Sequence, residues 1–329
     1  RVPVLQIFLV TLPFFALVAA GYVAARSRVL PLEAIPGLNA FVLYFALPCM
    51  LYRFGANTPI AQLLDSSVAL VWGLCGLVTV AAVVAFSRNE RIGWNDASFG
   101  ALVAAFPNTG FMGVPLLTAI LGAQAVGPVI ISMTFDMVIT TSLCIALSRL
   151  DAAGSHGAAQ AMRKALAGVL RNPMPWAILL GGLASAAGYK LPGPAERTIA
   201  MLGDAASPVA LFTIGAVLAR SAMLAREARG RAPLGDVLPV VLVKLVVHPL
   251  LVLAAALVVR AMGMPLSLPT CGALVLMAAL PSASNVSMLA ERFGADNGRI
   301  ARIILWTTVA AFFSFPLVVG WTAYLRQTA

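Results

Sequence analysis

The chain has 329 residues, of which 61% are hydrophobic and only 10% charged, with a mean hydropathy of +0.95 and a net charge of +10. A water-soluble domain carries roughly a quarter of its residues as charged side chains, so the composition excludes an ordinary soluble enzyme or nucleic-acid-binding domain. The sequence therefore predicts an all-α integral membrane protein whose main surroundings are the lipid bilayer.

Apolar stretches recur along the whole chain, and each is long enough to cross the roughly 30 Å hydrocarbon core of a bilayer. The first is expected to be a true helix, because it lacks the small-residue cleavage site of a signal peptide. We predict a first five-helix unit over residues 1–148, a cytoplasmic connector over 149–173 and a second unit over 174–329. The ten predicted spans are 3–25, 34–54, 67–86, 97–120, 126–148, 174–189, 198–218, 237–260, 269–292 and 301–325.

Basic residues are distributed unevenly over the connections between the spans. One alternate set of connections carries 15 Lys and Arg, the other set with the termini carries six, and Lys244 lies inside span 8. Cytoplasmic loops are enriched in Lys and Arg, so we predict that both termini face the periplasm of a bacterial inner membrane. The four cysteines are isolated within spans, which is typical of apolar packing, and no metal site or cofactor is predicted.

Span 4 contains a segment that does not fit a continuous helix. It begins at Pro107, continues with Asn108, Thr109 and Gly110, and ends at Pro115. The prolines remove backbone donors and the glycine gives conformational freedom. Interrupted backbone at membrane depth is tolerated where it is buried in protein or lines a water-filled cavity. The segment therefore predicts a break, and a cavity, near the middle of the membrane.

Ionisable residues inside the spans require an explanation, because a charge at the bilayer centre costs at least about 2.5–3.5 kcal/mol. Asp136 in span 5 and Lys244 in span 8 either form a structural ion pair or act as coupling or gating charges. His248 lies one helical turn after Lys244 and is either a packing residue or a proton relay. In span 7, Asp204 either caps a break before Pro208 or lines an entry path.

Span 9 contains a second candidate break, with Pro281 followed by three small polar side chains. Spans 4 and 9 run in opposite directions, so their breaks can cross near the bilayer midplane. The N-termini of the half-helices would then form a favourable site for a carboxylate, although two ordinary proline kinks are the alternative. The predicted substrate-binding residues are Asn108, Thr109, Gly110, Ser282, Ser284 and Asn285, with crossover prolines Pro107, Pro115 and Pro281.

The two halves of the chain share faint sequence landmarks. Because each predicted unit has an odd number of spans, the second unit must enter the membrane from the opposite side, as in the inverted repeats of many transporters. The landmarks recur in the same order and are Gly21-Tyr22 with Gly188-Tyr189, Pro48 with Pro208, and Pro107 with Pro281.

The segments at residues 107–115 and 281–285 resemble those of the auxin efflux carrier family, and the resemblance covers nearly the whole chain. Supporting matches are Leu47-Pro48, Asn172-Pro173 and residues 207–212. The family is similar in architecture to bile-acid symporters and sodium/proton antiporters. The resemblance implies a scaffold of spans 1, 2, 6 and 7, with a moving domain of spans 3–5 and 8–10 that contains the crossed spans 4 and 9. The short connector resembles compact bacterial members, which carry malonate, malate and similar acids.

These features together predict a secondary active transporter of small organic anions, either mono- and dicarboxylates or auxin-like acids, that works by alternating access. Coupling to protons or sodium and a homodimeric assembly are left open. One alternative is a cation/proton antiporter of the same fold, which is disfavoured because Asp136 has no adjacent carboxylate. The other alternative is a membrane sensor, which is disfavoured because the predicted connectors are too short to hold a signalling domain. An enzyme is not predicted, because the chain has only two histidines and no metal-ligand cluster.

Overall fold

The structure, a computed structural model, describes residues 4–58, 65–150, 173–227 and 233–328, together with Arg163 and Leu170. Almost all of the predicted connector at 149–173 lies outside these described residues. The helices of the described ranges are α1 (Val4–Arg26), α2 (Leu32–Ala56), α3 (Ser66–Ser87), α4 (Trp94–Ala105), α5 (Val114–Leu121), α6 (Val126–Leu147), α7 (Pro173–Ala187), α8 (Gly193–Glu227), α9 (Leu234–Ala261), α10 (Leu268–Ala278), α11 (Asn285–Arg292) and α12 (Asn297–Thr328).

The helices are those of a multi-pass membrane protein, and the predicted all-α membrane class is confirmed. Six of them, α2, α3, α6, α8, α9 and α12, contain stretches that are long and apolar enough to cross a bilayer. Shorter apolar helices are α7, α10 and the Leu12–Arg26 part of α1. Predicted spans 4 and 9 each correspond to two helices, α4 with α5 and α10 with α11, separated by interrupted backbone.

Helix packing divides the described chain into two groups. In one group, α1 packs along α8, α7 packs along α2, and α2 also contacts α8. In the other, α3 packs against α4, α6 and α9, while α9 packs against α10. Helix α12 contacts α1 and α8 of the first group and α9 and α10 of the second, and α8 also contacts the segment Thr109–Gly113. The interrupted segment of span 4 therefore lies against a helix of the first group.

Glycines allow the backbones of the first group to approach closely. A Cβ added at Gly21 of α1 would overlap the carbonyl oxygen of Phe212 in α8, and one added at Gly181 of α7 would overlap that of Tyr52 in α2. Both contacts are helix against helix with no side chain between them. Each pairs a glycine with a backbone carbonyl on the neighbouring helix, and the two contacts are related by a constant shift of 160 positions.

A second pair of contacts follows the same shift. Gly215 lies against the carbonyl of Val18, and Gly55 lies against that of Ile178. The contact that Gly21 makes is thus repeated by Gly181. The sequence landmarks had instead matched Gly21 with Gly188. Gly188 instead follows α7 with a φ of 62°, a left-handed conformation that glycine adopts without strain.

Several helices contain a π-helical turn, and most of these turns have a proline as their cause. A proline lacks the N–H that an α-helix requires and clashes with the preceding turn. Three turns end two residues before a proline, and they are Val42–Ala46 before Pro48, Thr109–Gly113 before Pro115, and Val243–Val247 before Pro249. A fourth turn, Asp136–Thr140, is not followed by a proline. There the Thr141 hydroxyl donates to the carbonyl of Asp136 at 2.8 Å.

Pro208 does not interrupt its helix, because α8 is continuous from Gly193 to Glu227. Capping of a break by Asp204, one of the two roles considered for this residue, is therefore wrong. The Asp204 carboxylate instead accepts a hydrogen bond from the Arg53 guanidinium at 2.7 Å, and both side chains are exposed. This ion pair joins α2 to α8 within the first group.

Candidate functional site

The interruptions of spans 4 and 9 meet each other. After α4 ends at Ala105, Pro107 pairs with Ser282 as an antiparallel bridge. The Asn108 amide donates to the Pro281 carbonyl at 2.8 Å, and the Ala283 amide donates to the Phe106 carbonyl at 3.0 Å. Each interrupted segment therefore supplies the backbone partner that the other segment loses by leaving the helix.

Helical structure restarts immediately after the contact on both sides. Thr109 opens the π-helical turn that leads into α5, where Pro115 occupies the first turn, and Asn285 opens α11. The residues at the N-cap positions are Asn108 and Ser284, and neither side chain makes a capping hydrogen bond. Two helix N-termini thus lie next to the bridge, and both are preceded by a polar side chain that does not cap them.

The side chains predicted to bind substrate have different surroundings. Ser282 is buried, and its hydroxyl donates to the Val103 carbonyl at 2.6 Å. Thr109 is also buried, and its hydroxyl has no hydrogen-bond partner within the described residues. Asn108 is almost completely buried, whereas Gly110 is half-buried and close to the Met133 sulfur. The Ser282 hydroxyl therefore links the interruption of span 9 to α4 of span 4.

A small cavity lies between the interruptions and the first helix group. Ser284 and Asn285 line one side, and Asn39 of α2 and Thr213 of α8 line the other. Apolar side chains, among them Phe111, complete the wall. Of the six predicted substrate-binding residues, only Ser284 and Asn285 line this cavity, while Asn108, Thr109, Gly110 and Ser282 form the interrupted backbone beside it.

Asn39 and Thr213 were not predicted from the sequence. Asn39 is buried although it is an amide inside an apolar helix, and a search for amides within the spans would have found it. Thr213 gives no such signal, because its hydroxyl donates to the Val209 carbonyl at 2.7 Å like many threonines in membrane helices. Only the packing of α8 against the π-helical turn at Thr109–Gly113 brings Thr213 to the cavity.

Three buried ionisable residues, Asp136, Lys244 and His248, lie together in the second helix group. Asp136 accepts hydrogen bonds from the Trp72 indole at 3.0 Å and the Thr140 hydroxyl at 3.0 Å. Lys244 is fully buried and donates to the Ala278 carbonyl at 2.6 Å. The charges of Asp136 and Lys244 attract each other, but no ion-pair contact within 4.0 Å joins these two described side chains. Each charge is held mainly by neutral groups.

His248 completes this group. One of its ring nitrogens, Nδ1, lies 2.9 Å from the Thr79 hydroxyl, and the edge of its ring contacts Trp72 with centroids 5.8 Å apart. The other nitrogen, Nε2, is buried without a hydrogen-bond partner among the residues that the structure describes. Asp136 and His248 thus share contact with Trp72, which the sequence analysis did not single out.

Comparisons with known proteins agree with these features. A family model described as "Membrane transport protein" matches residues 6–319. The chain is 31% identical over 325 residues to a Rhizobium meliloti (strain 1021) protein named "Putative malonate transporter", covering 97% of this chain and 95% of that protein. It is 25% identical over 293 residues to "Uncharacterized transporter YfdV" of Escherichia coli (strain K12), covering 86% and 87%. It is 23% identical over 368 aligned positions to "Auxin efflux carrier component 8" of Arabidopsis thaliana, covering 93% and 96%.

Proposed function

The chain belongs to the auxin efflux carrier family of membrane transport proteins, and from this premise we propose that it is a secondary active carrier of small organic anions. Its substrates are mono- and dicarboxylates of about the size of malonate or malate, and it moves them by alternating access across a bacterial inner membrane. The observation that carries the proposal is the meeting of two interrupted helices beside a small cavity that four polar side chains help to line.

The chemistry of this site suits a carboxylate. Two helix N-termini lie next to the bridge between Pro107 and Ser282, and helix N-termini carry partial positive charge and unpaired N–H groups. Ser284 and Asn285 on one wall, with Asn39 and Thr213 on the other, offer neutral polar groups. The polar residues that line the cavity are all uncharged, so a bound anion would be held by dipoles and hydrogen bonds. Such a site releases its ligand more readily than a buried ion pair does.

The proposed architecture is a ten-helix inverted repeat. Support comes from the two glycine contacts that recur after a shift of 160 positions. Further support comes from the two hydrogen bonds at the crossing. The donors Asn108 and Ala283 are 175 positions apart, and so are the acceptors Phe106 and Pro281. The two bonds are therefore equivalent when the two halves of the chain are exchanged. The second shift is larger because α8 continues well beyond the counterpart of the end of α2. The first helix group would be the scaffold, and the second group, with α5 and α11, would move against it.

Malonate is the best first substrate to test, because a relative that matches almost the whole chain is named for it. The proposed orientation, with both termini in the periplasm, rests on the uneven distribution of Lys and Arg. Asp136 is proposed as the group whose protonation couples to transport. Its π-helical turn without a proline supports this role, since such turns occur frequently at functional sites.

The test is uptake of radiolabelled malonate by proteoliposomes that contain malonate inside, with the variants Asn285→Leu and Asn108→Leu. Loss of a hydrogen bond to a charged ligand costs about 1.5–3 kcal/mol, so each variant should lower the apparent affinity about 10- to 150-fold. Asn57→Leu is the matched control, because Asn57 is exposed at the end of α2 and its variant should transport normally. Unchanged malonate affinity in both test variants would remove the crossing from the transport site.

A further inference from the structure

The Lys244 ammonium meets the end of a half-helix and not a carboxylate. Its Nζ donates at 2.6 Å to the carbonyl of Ala278, the last residue of α10. Terminal carbonyls of a helix have no partner within the helix and carry partial negative charge. In secondary transporters, such half-helix C-terminal ends coordinate the sodium ion or proton. The ammonium of this chain is therefore at the kind of position where other carriers hold a cation.

The equivalent carbonyl of the other half-helix has a neutral partner. The shift of 175 positions that relates the two crossing hydrogen bonds also relates Ala278 to Val103. The Val103 carbonyl accepts from the Ser282 hydroxyl at 2.6 Å, the same distance at which Ala278 accepts from Lys244. The two carbonyls are thus satisfied equally well as hydrogen-bond acceptors. The difference is a full positive charge at the Ala278 carbonyl and a neutral hydroxyl at the Val103 carbonyl.

The surroundings of Lys244 differ from those of an ordinary buried ion pair. Asp136 attracts Lys244 but is held by Trp72 and Thr140, and the described residues contain no ion-pair contact between these two charges within 4.0 Å. His248, another titratable group nearby, has its Nδ1 2.9 Å from the Thr79 hydroxyl. The positive charge of Lys244 is therefore directed at the end of α10, while Asp136 balances it from a distance.

We propose that the Lys244 ammonium is a built-in cation that occupies the cation position at the C-terminal end of α10, so that this carrier binds no sodium ion there. This inference deepens the proposed function, since a coupling cation matters only to a carrier. Removing the ammonium should open a small site that accepts a cation from solution. Ammonium and ethylammonium are the most suitable probes, because they carry the same N–H donors as the lysine.

The experiment measures the thermal unfolding midpoint of the purified protein in choline, sodium, ammonium and ethylammonium chloride at equal ionic strength. The wild type should have the same midpoint in sodium as in choline. Lys244→Ala should unfold roughly 5 °C or more below the wild type in choline. Ammonium or ethylammonium should restore its midpoint in a saturable manner. Lys190→Ala, which removes an exposed lysine, is the control and should respond to none of the salts.

Three results would overturn the proposal, namely a stable Lys244→Ala in choline, a destabilised variant that no small cation restores, and saturable sodium stabilisation of the wild type. If Lys244→Ala does not fold, Lys244→Gln keeps a donor without the charge. Lys244→Gln should be destabilised, and the double variant Asp136→Asn with Lys244→Gln should regain at least half of the loss. A double variant no more stable than Lys244→Gln would contradict the proposal. The unfolding measurements involve no transport. A wild type that fails to transport anions would therefore refute the proposed function but not the proposal about Lys244.

Discussion

Replacing Gly215 by alanine should destabilise the protein far more than an added methyl group usually does. The new Cβ would lie 2.7 Å from the Tyr22 amide nitrogen and would overlap the Val18 carbonyl oxygen, whereas ordinary contacts begin at 3.4 Å. The obstructing atoms belong to the backbone of α1, so no side chain can rotate away. Helices α1 and α8 must therefore separate by at least 0.7 Å, a gap that loses about a quarter to a half of the dispersion energy across their contact.

Overpacking of this kind costs about 1–3 kcal/mol, and the rigid neighbour puts Gly215→Ala near 3 kcal/mol. The thermal midpoint in detergent should then fall by roughly 6–12 °C. Gly37→Ala is the matched control, because Gly37 lies in α2 with no atom within 4 Å of the added Cβ. Alanine is the better helix former by about 1 kcal/mol, so this control should be neutral or stabilising. Equal midpoints for the two variants would refute the close approach of α1 and α8.

Two further predictions concern the buried polar group. Trp72→Phe removes the indole donor to Asp136 and should lower the free energy of unfolding by about 1–3 kcal/mol. Urea or thermal unfolding would measure this loss. A variant as stable as the wild type would mean that Asp136 does not depend on this hydrogen bond. Asp136→Asn should change the pH dependence of malonate transport in proteoliposomes, and an unaltered dependence would assign Asp136 a purely structural role.

Much of the helical pattern follows directly from the sequence. Apolar runs of membrane length located most of the helices to within a few residues, because lipid leaves the backbone few alternatives to a helix. The exception is predicted span 7 (198–218), because α8 runs from Gly193 to Glu227. Pro107 and Pro281 marked the interruptions, since each lacks an N–H in the middle of a span. Pro208 shows the limit of this reasoning, because α8 accommodates it without a break. A proline predicts a local defect, and the neighbouring residues decide whether that defect ends the helix.

The details of the site depend on contacts that a single sequence does not reveal. Asn39 and Thr213 reach the cavity only because α2 and α8 pack beside the crossing. The pairing of Trp72 with Asp136 joins residues 64 positions apart, and neither residue type predicts the other. Ser282 was predicted to bind substrate as one of three small polar residues after a proline, yet its hydroxyl holds the Val103 carbonyl.

The position of a bound anion tests the proposed substrate site most directly. Crystals grown with bromomalonate would give an anomalous signal from bromine, which marks the ligand independently of the protein. We expect a bromine peak in the cavity between α2 and α8 on one side and the start of α11 on the other, close to Ser284 and Asn285. A peak elsewhere in the protein, with this cavity unoccupied, would contradict it.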